Sequence, residues 1–126
     1  MSPIKILVVE DSPTMRQFIC FALRRLPGVE ISEASDGVEG LKKFTLENFN
    51  LVMIDINMPI MDGLKLLSLI RKGPSNSKVP ILVITTEGAQ ADRDRALSLG
   101  ADGYLTKPTP GSIILKTVKR ILGIVD

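Results

Sequence analysis

Short apolar runs and stripes of helical period alternate along the whole chain. Ile4 to Val9 is a β-branched run that stops at Glu10, as a buried strand does. Ser12 followed by Pro13 opens a helix with a capping hydroxyl and a proline at its first position. Met15, Phe18, Ile19, Ala22, Leu23 and Leu26 then recur at helical spacing, and Pro27-Gly28 ends the helix. Val29 to Ala34 alternates apolar and polar residues, which predicts an edge strand, and Asp36-Gly37 makes a turn. A helix over Val38 to Glu47 should bury Val38, Leu41 and Phe44.

The same cycle repeats to the end. Leu51 to Ile54 is a buried strand ending at Asp55; Pro59 and Asp62-Gly63 lie in a loop; Leu64 to Arg71 is a helix with Leu64, Leu67 and Ile70 inward. Gly73 to Lys78 is a polar turn. Ile81 to Ile84 is the most apolar strand and runs into Thr85-Thr86. A weaker, highly charged helix covers Ala89 to Leu99, with Gly100 as its stop. Tyr104-Leu105 is a short strand before Lys107-Pro108, and the last helix covers Gly111 to Leu122. Its apolar positions are Ile113, Ile114, Leu115, Val118, Ile121 and Leu122, followed by Ile124 and Val125; helical spacing buries about half of them. Strict β/α alternation with short connections predicts a parallel sheet covered on both faces. Periodicity leaves the strand order open.

Composition narrows the chemistry. The chain has 126 residues, which suits one domain, and 44% hydrophobic with 24% charged residues reads as globular. There is no histidine, so triads, Cys-His pairs, His-based metal sites and a phosphohistidine of its own are excluded. One cysteine makes neither an internal disulfide nor a cysteine-rich zinc site, and a reducing, cytoplasmic compartment is expected. That residue, Cys20, beside Ile19, reads as packing or surface rather than a redox sensor. A net charge of +2 and a single tyrosine argue against direct nucleic-acid binding. No apolar run reaches the roughly 20 residues that span a bilayer. Reactive groups must be carboxylates, hydroxyls and lysines.

In an open α/β sheet, ligands bind beyond the carboxyl ends of the strands. Here the first strand delivers Glu10 and Asp11, the third Asp55 and then Asn57, the fourth Thr85 and Thr86, and the fifth Lys107 and Pro108. Each has an ordinary structural explanation alone: a helix cap, a turn, a surface corner. Together they fill one rim. Carboxylates about 5 Å apart repel by roughly 3 kcal/mol per pair at an effective dielectric near 20. Such a cluster needs a cation, and oxygen-only ligands favour Mg²⁺. A metal, the Lys107 charge and the Thr85 hydroxyl beside a carboxylate make a site for a phosphoryl group, with the carboxylate as acceptor.

Four segments carry a resemblance: Ile6-Leu-Val-Val-Glu-Asp-Ser12, Leu51-Val-Met-Ile-Asp-Ile-Asn-Met-Pro59 with Met61-Asp-Gly63, Ile84-Thr-Thr86, and Gly100-Ala-Asp-Gly-Tyr-Leu-Thr-Lys-Pro108. On these the chain resembles the receiver domain of two-component response regulators, and most of all the single-domain chemotaxis type. The resemblance implies a flavodoxin-like (βα)5 three-layer sandwich with strand order 2-1-3-4-5. It implies that Asp55 is the phosphoacceptor, that Glu10, Asp11, Asp55 and the carbonyl of Asn57 hold Mg²⁺, and that Thr85 and Lys107 engage the phosphoryl group. Tyr104 is implied to turn inward as Thr85 moves, the Lys107-Pro108 bond to be cis, and Asn57 and Glu87 to tune hydrolysis of the acyl phosphate.

The implied partners are a sensor histidine kinase or phosphotransfer protein and a downstream protein bound through the helix 4, strand 5, helix 5 face; phosphorylation-dependent pairing of two copies is left open. The missing histidine then belongs to the donor. The domain is expected to be no turnover enzyme, catalysing only its own phosphorylation and dephosphorylation. Residues 1–126 are read as one receiver without a separate effector domain. The alternatives are a receiver excised from a larger regulator and, in another class, a small aspartate-based phosphatase. The latter wants a second aspartate two residues after the first, where Asn57 stands. Thr109 departs from the family, which commonly has an aromatic there.

Overall fold

A computed structural model of the chain describes residues 3–86 and 90–124. The elements run β1 (Lys5–Val9), α1 (Pro13–Leu23), β2 (Glu30–Ala34), α2 (Gly37–Leu46), β3 (Leu51–Ile54), α3 (Gly63–Lys72), β4 (Ile81–Thr85), α4 (Gln90–Ser98), β5 (Gly103–Thr106) and α5 (Gly111–Leu122). All neighbouring strands pair in parallel, in the order β2-β1-β3-β4-β5. The expected flavodoxin-like sandwich is therefore the fold. The Lys107-Pro108 bond is cis. No helix among the described residues is long and apolar enough to cross a membrane.

Alternation along the central strands builds two cores. Ile6, Val8, Leu51, Met53, Leu82 and Ile84 meet α1 and α5 on one face. Leu7, Val9, Val52, Ile54, Ile81 and Val83 meet α2, α3 and α4 on the other. Strands buried on both faces must be apolar throughout, which is why β1, β3 and β4 read as unbroken runs.

Helix starts follow the capping residues. Ser12 Oγ accepts from Met15 N at 3.2 Å, Asp36 from Glu39 N at 2.8 Å and Asp62 from Lys65 N at 2.8 Å. Two inward positions are corrected. Val38, expected in the core, is 49% exposed, because Gly37 and Gly40 occupy the inner side of α2. A side chain at Gly40 would meet Val9, so the helix lies too close to the sheet for anything larger. Phe18 is 42% exposed, since Ile19, Cys20, Ala22 and Leu23 form the inner row of α1. In α3 the buried set is Leu66, Leu67 and Ile70, with Leu64 only half-buried. Cys20 is a core residue; burial pushes its thiol up to about 11, which suits packing and not redox chemistry.

The far edge of the sheet, near the starts of β4 and β5, is closed by Arg71. Its guanidinium donates to Ser77 O, Val79 O, Gly100 O twice, and Asp102 Oδ2, at 2.7 to 3.1 Å. All five of its N–H groups are used. Asp102 Oδ2 also accepts from Ile81 N at 2.8 Å. The α4–β5 corner is thereby tied to the end of α3. By contrast, α4 itself buries only Ala96. Ala89, where the helix was expected to begin, and Val125 lie outside the described residues.

The loop between β3 and α3 is tight. Gly63 N donates to Ile56 O at 2.9 Å, and a β-carbon on Gly63 would run into the carbonyl of Asp55. Ile60 has a φ of 70°, with Met61 N donating back to Pro59 O at 2.7 Å, so a β-branched residue sits in a left-handed turn. The Gly63→Ala variant is expected to lose at least about 2 kcal/mol, because backbone and not a flexible side chain must move. Urea unfolding followed by far-ultraviolet circular dichroism measures this; a wild-type midpoint would contradict the close approach.

Candidate functional site

The strand ladders run one residue past β1, β3 and β5 and so deliver polar side chains to one place. Glu10 N donates to Ala34 O at 3.0 Å, Asp55 N to Val9 O at 3.1 Å and Lys107 N to Thr85 O at 2.8 Å. Alternation then carries Glu10, Asp55 and Lys107 onto the row that faces α1 and α5. There they meet. Lys107 Nζ stands 2.5 Å from Glu10 Oε1 and 3.3 Å from Asp55 Oδ2.

The carboxylates are unequal. Glu10 and Asp55 are buried, at 1% and 4% exposure, whereas Asp11 opens to solvent. One oxygen from each of the three lies within 4.8 Å of the others. At that spacing each like-charge pair costs about 3 kcal/mol at an effective dielectric near 20. Burial raises the Glu10 carboxyl above its ordinary range, against the opposing hydrogen bonds from Lys107 and the Ser12 amide. The Ser12 amide donates to Glu10 Oε2 at 3.1 Å. One ammonium cannot neutralise three carboxylates, and the solvent-facing Asp11 leaves the cluster approachable. The group is thus a set of hard oxygen donors that fits a small divalent cation.

The other expected residues fall around this cluster. Asn57 N donates to Asp55 Oδ1 at 3.2 Å, and its side-chain amide reaches Thr86 Oγ1 at 3.4 Å. Thr85 is fully buried at the end of β4. Val83 pairs with Tyr104 and Thr85 with Thr106 in register, so Thr85 and Tyr104 share the face under α3 and α4. Thr109 is buried, and its hydroxyl donates to Thr106 O at 2.6 Å. Glu87 lies outside the described residues. Sequence reading missed Arg16, whose Nη1 donates to the backbone carbonyl of Glu10 at 2.7 Å and whose Nε donates to Glu33 Oε1 at 3.1 Å. A side chain that bonds a backbone carbonyl leaves no mark in hydrophobic periodicity.

A family model for the response regulator receiver domain matches residues 6–119. This chain belongs to that family. The receiver is 38% identical over 123 residues to the chemotaxis protein CheY1 of Helicobacter pylori, covering 97% of this chain and 99% of the relative. Among solved structures, the chemotaxis protein CheY4 of Vibrio cholerae matches it with a TM-score of 0.87 at 35% identity, over 95% of this chain and 99% of that one. The receiver domain of the sensor histidine kinase PA1611 of Pseudomonas aeruginosa, whose structure has a magnesium ion coordinated in the active site cleft, matches with a TM-score of 0.86 at 28% identity, over 97% and 99% of the two chains.

The raised Glu10 carboxyl has a thermodynamic consequence in the metal-free receiver. The folded state holds that proton more tightly than the unfolded state, so stability declines as pH rises from the ordinary glutamate range through the raised value. Glu10→Gln is expected to raise the melting temperature at neutral pH with metal chelated, and the gain should vanish below pH of about 4. Differential scanning calorimetry across pH measures it; a gain independent of pH would assign the effect elsewhere.

Proposed function

We propose that the receiver accepts a phosphoryl group on Asp55 from a phosphohistidine of a sensor histidine kinase or phosphotransfer protein, and that its output is altered binding to a downstream protein. The observation that carries this reading is the buried Asp55 carboxylate held by the Lys107 ammonium inside an oxygen-only acidic cluster. A carboxylate oxygen of Asp55 attacks phosphorus, the O–P bond forms, and the P–N bond breaks as the imidazole nitrogen takes the electron pair. Glu10, Asp11 and Asp55, with the carbonyl of Asn57, would hold Mg²⁺. Bound there, the ion supplies charge neutralisation for the phosphoryl oxygens. The magnesium found in the PA1611 receiver supports that choice.

Lys107 is placed to exchange its contact with Asp55 for a phosphoryl oxygen, holding charge where it develops. Phosphorylation adds roughly −1.5 to −2 of charge beside Thr85. Thr85 then turns its hydroxyl to the phosphoryl oxygens and Tyr104 follows inward on the shared face. The weak anchoring of α4 makes the α4–β5–α5 surface the readiest part to respond. Water later attacks phosphorus and regenerates the Asp55 carboxylate, with Asn57 and Glu87 setting the rate. A groove of about 520 Å³ beside Lys107, lined by Thr14, Met15, Phe18, Pro108 and Thr109, gives the donor an apolar seat.

The likeness to CheY1 along 99% of its length favours a chemotaxis-type, cytoplasmic role with output by protein contact. The phosphatase reading is weaker, because Asn57 offers an amide bonded to Thr86 where that chemistry wants a carboxylate.

Incubation with acetyl phosphate and MgCl₂ is expected to label Asp55 in intact-mass and peptide mass spectrometry, and EDTA to abolish the label. An unlabelled wild type, or equal labelling of Asp55→Asn, overturns the acceptor assignment. Lys107→Ala is expected to accept the phosphoryl group yet fail to shift the Tyr104 ring resonances in NMR spectra; normal shifts would remove Lys107 from the switch.

A further inference from the structure

Asp11 is the only exposed carboxylate of the cluster, and no side chain or backbone group among the described residues bonds it. Its aim therefore depends on the two peptide planes that flank its Cα. The plane after it is held from the Ser12 amide, which donates to Glu10 Oε2. The plane before it contains the carbonyl of Glu10 and the amide of Asp11, and these turn together because the peptide is rigid. That carbonyl is held by Arg16 Nη1 at 2.7 Å. Arg16 is itself fixed at both ends: its backbone N donates to Ser12 O at 2.8 Å, and its Nε pairs with Glu33 Oε1 near the end of the edge strand.

We infer that Arg16 is a positioning residue for the metal site, holding the Glu10–Asp11 peptide so that the free Asp11 carboxylate faces the buried pair. The inference rests on the proposed Mg²⁺-dependent reading of the site. It assigns Arg16 no contact with metal or phosphoryl oxygens. Glu33 has two tasks here, anchoring the guanidinium and balancing its charge, so that the arginine can stand near a cation site. Geometry and charge give opposite signs. Loss of a positive charge near the site should tighten cation binding, whereas loss of the carbonyl's partner should weaken it.

The test measures Mg²⁺ binding directly, with no phosphodonor, by titrating MgCl₂ into the receiver and following the amide resonances of Asp11, Ser12 and Asn57. Arg16→Met keeps most of the apolar stem and removes every donor; its half-saturation concentration is expected to rise about tenfold. Arg16→Lys, which can still reach the carbonyl, should recover most of that loss, and Glu33→Gln should show a smaller weakening. With acetyl phosphate, the labelling rate of Arg16→Met should climb back as MgCl₂ is raised. A merely structural role for Arg16 lowers the melting temperature and leaves half-saturation unchanged, and that result, or tighter binding, overturns the inference. If Arg16→Met does not fold, wild-type affinity in both Arg16→Lys and Glu33→Gln, together with an unshifted Asp11 amide in each, overturns it equally. A wild type that shows no Mg²⁺ response removes the metal reading itself; a responding wild type with unaffected variants removes only the role of Arg16.

Discussion

One ammonium group lets two buried carboxylates share a site. Lys107 lies between Glu10 and Asp55, both inside the protein surface, and without it their repulsion and desolvation would meet no opposing charge. The arrangement depends on the parallel sheet. Only strands running the same way bring the ends of β1, β3 and β5 to one rim, and the ladder bonds beyond each strand set the direction of the three side chains. Asp11 then adds charge that Lys107 does not match, which leaves the group suited to a further cation.

The sheet also separates two kinds of residue by face. Glu10, Asp55 and Lys107 follow the row toward α1 and α5, while Thr85 and Tyr104 follow the row toward α3 and α4. The acidic rim and the packing beneath α4 therefore lie on opposite faces of a single layer. Few buried apolar atoms hold α4 in place, since Ala96 is its only fully buried residue, which makes it the least anchored helix of the five.

The strand ends were legible for a physical reason. A strand buried on both faces has no polar residue until it leaves the core, so Glu10, Asp55 and Thr85 stand out sharply after their runs. The edge strand β2 was legible from its alternation. What could not be read depended on distance between elements. Val38 has the spacing of a core residue, yet Gly37 and Gly40 take the inner positions of the first turn, where α2 lies too close to Val9 at Gly40 for a larger side chain. Arg16 and Arg71 carry no periodic signal, because each spends its guanidinium on backbone carbonyls supplied by other segments. Strand order was available only through resemblance, since hydrophobic pattern says that a strand is buried and not which strand lies beside it.

The saturated guanidinium of Arg71 ties the domain together at the end of the sheet opposite its acidic rim. With Gly100 and Asp102 bound to the end of α3 and to the start of β4, the C-terminal end of α4 has a fixed point. Fastened at that end, α4 changes its angle more readily than its position, with Gly100 as the pivot.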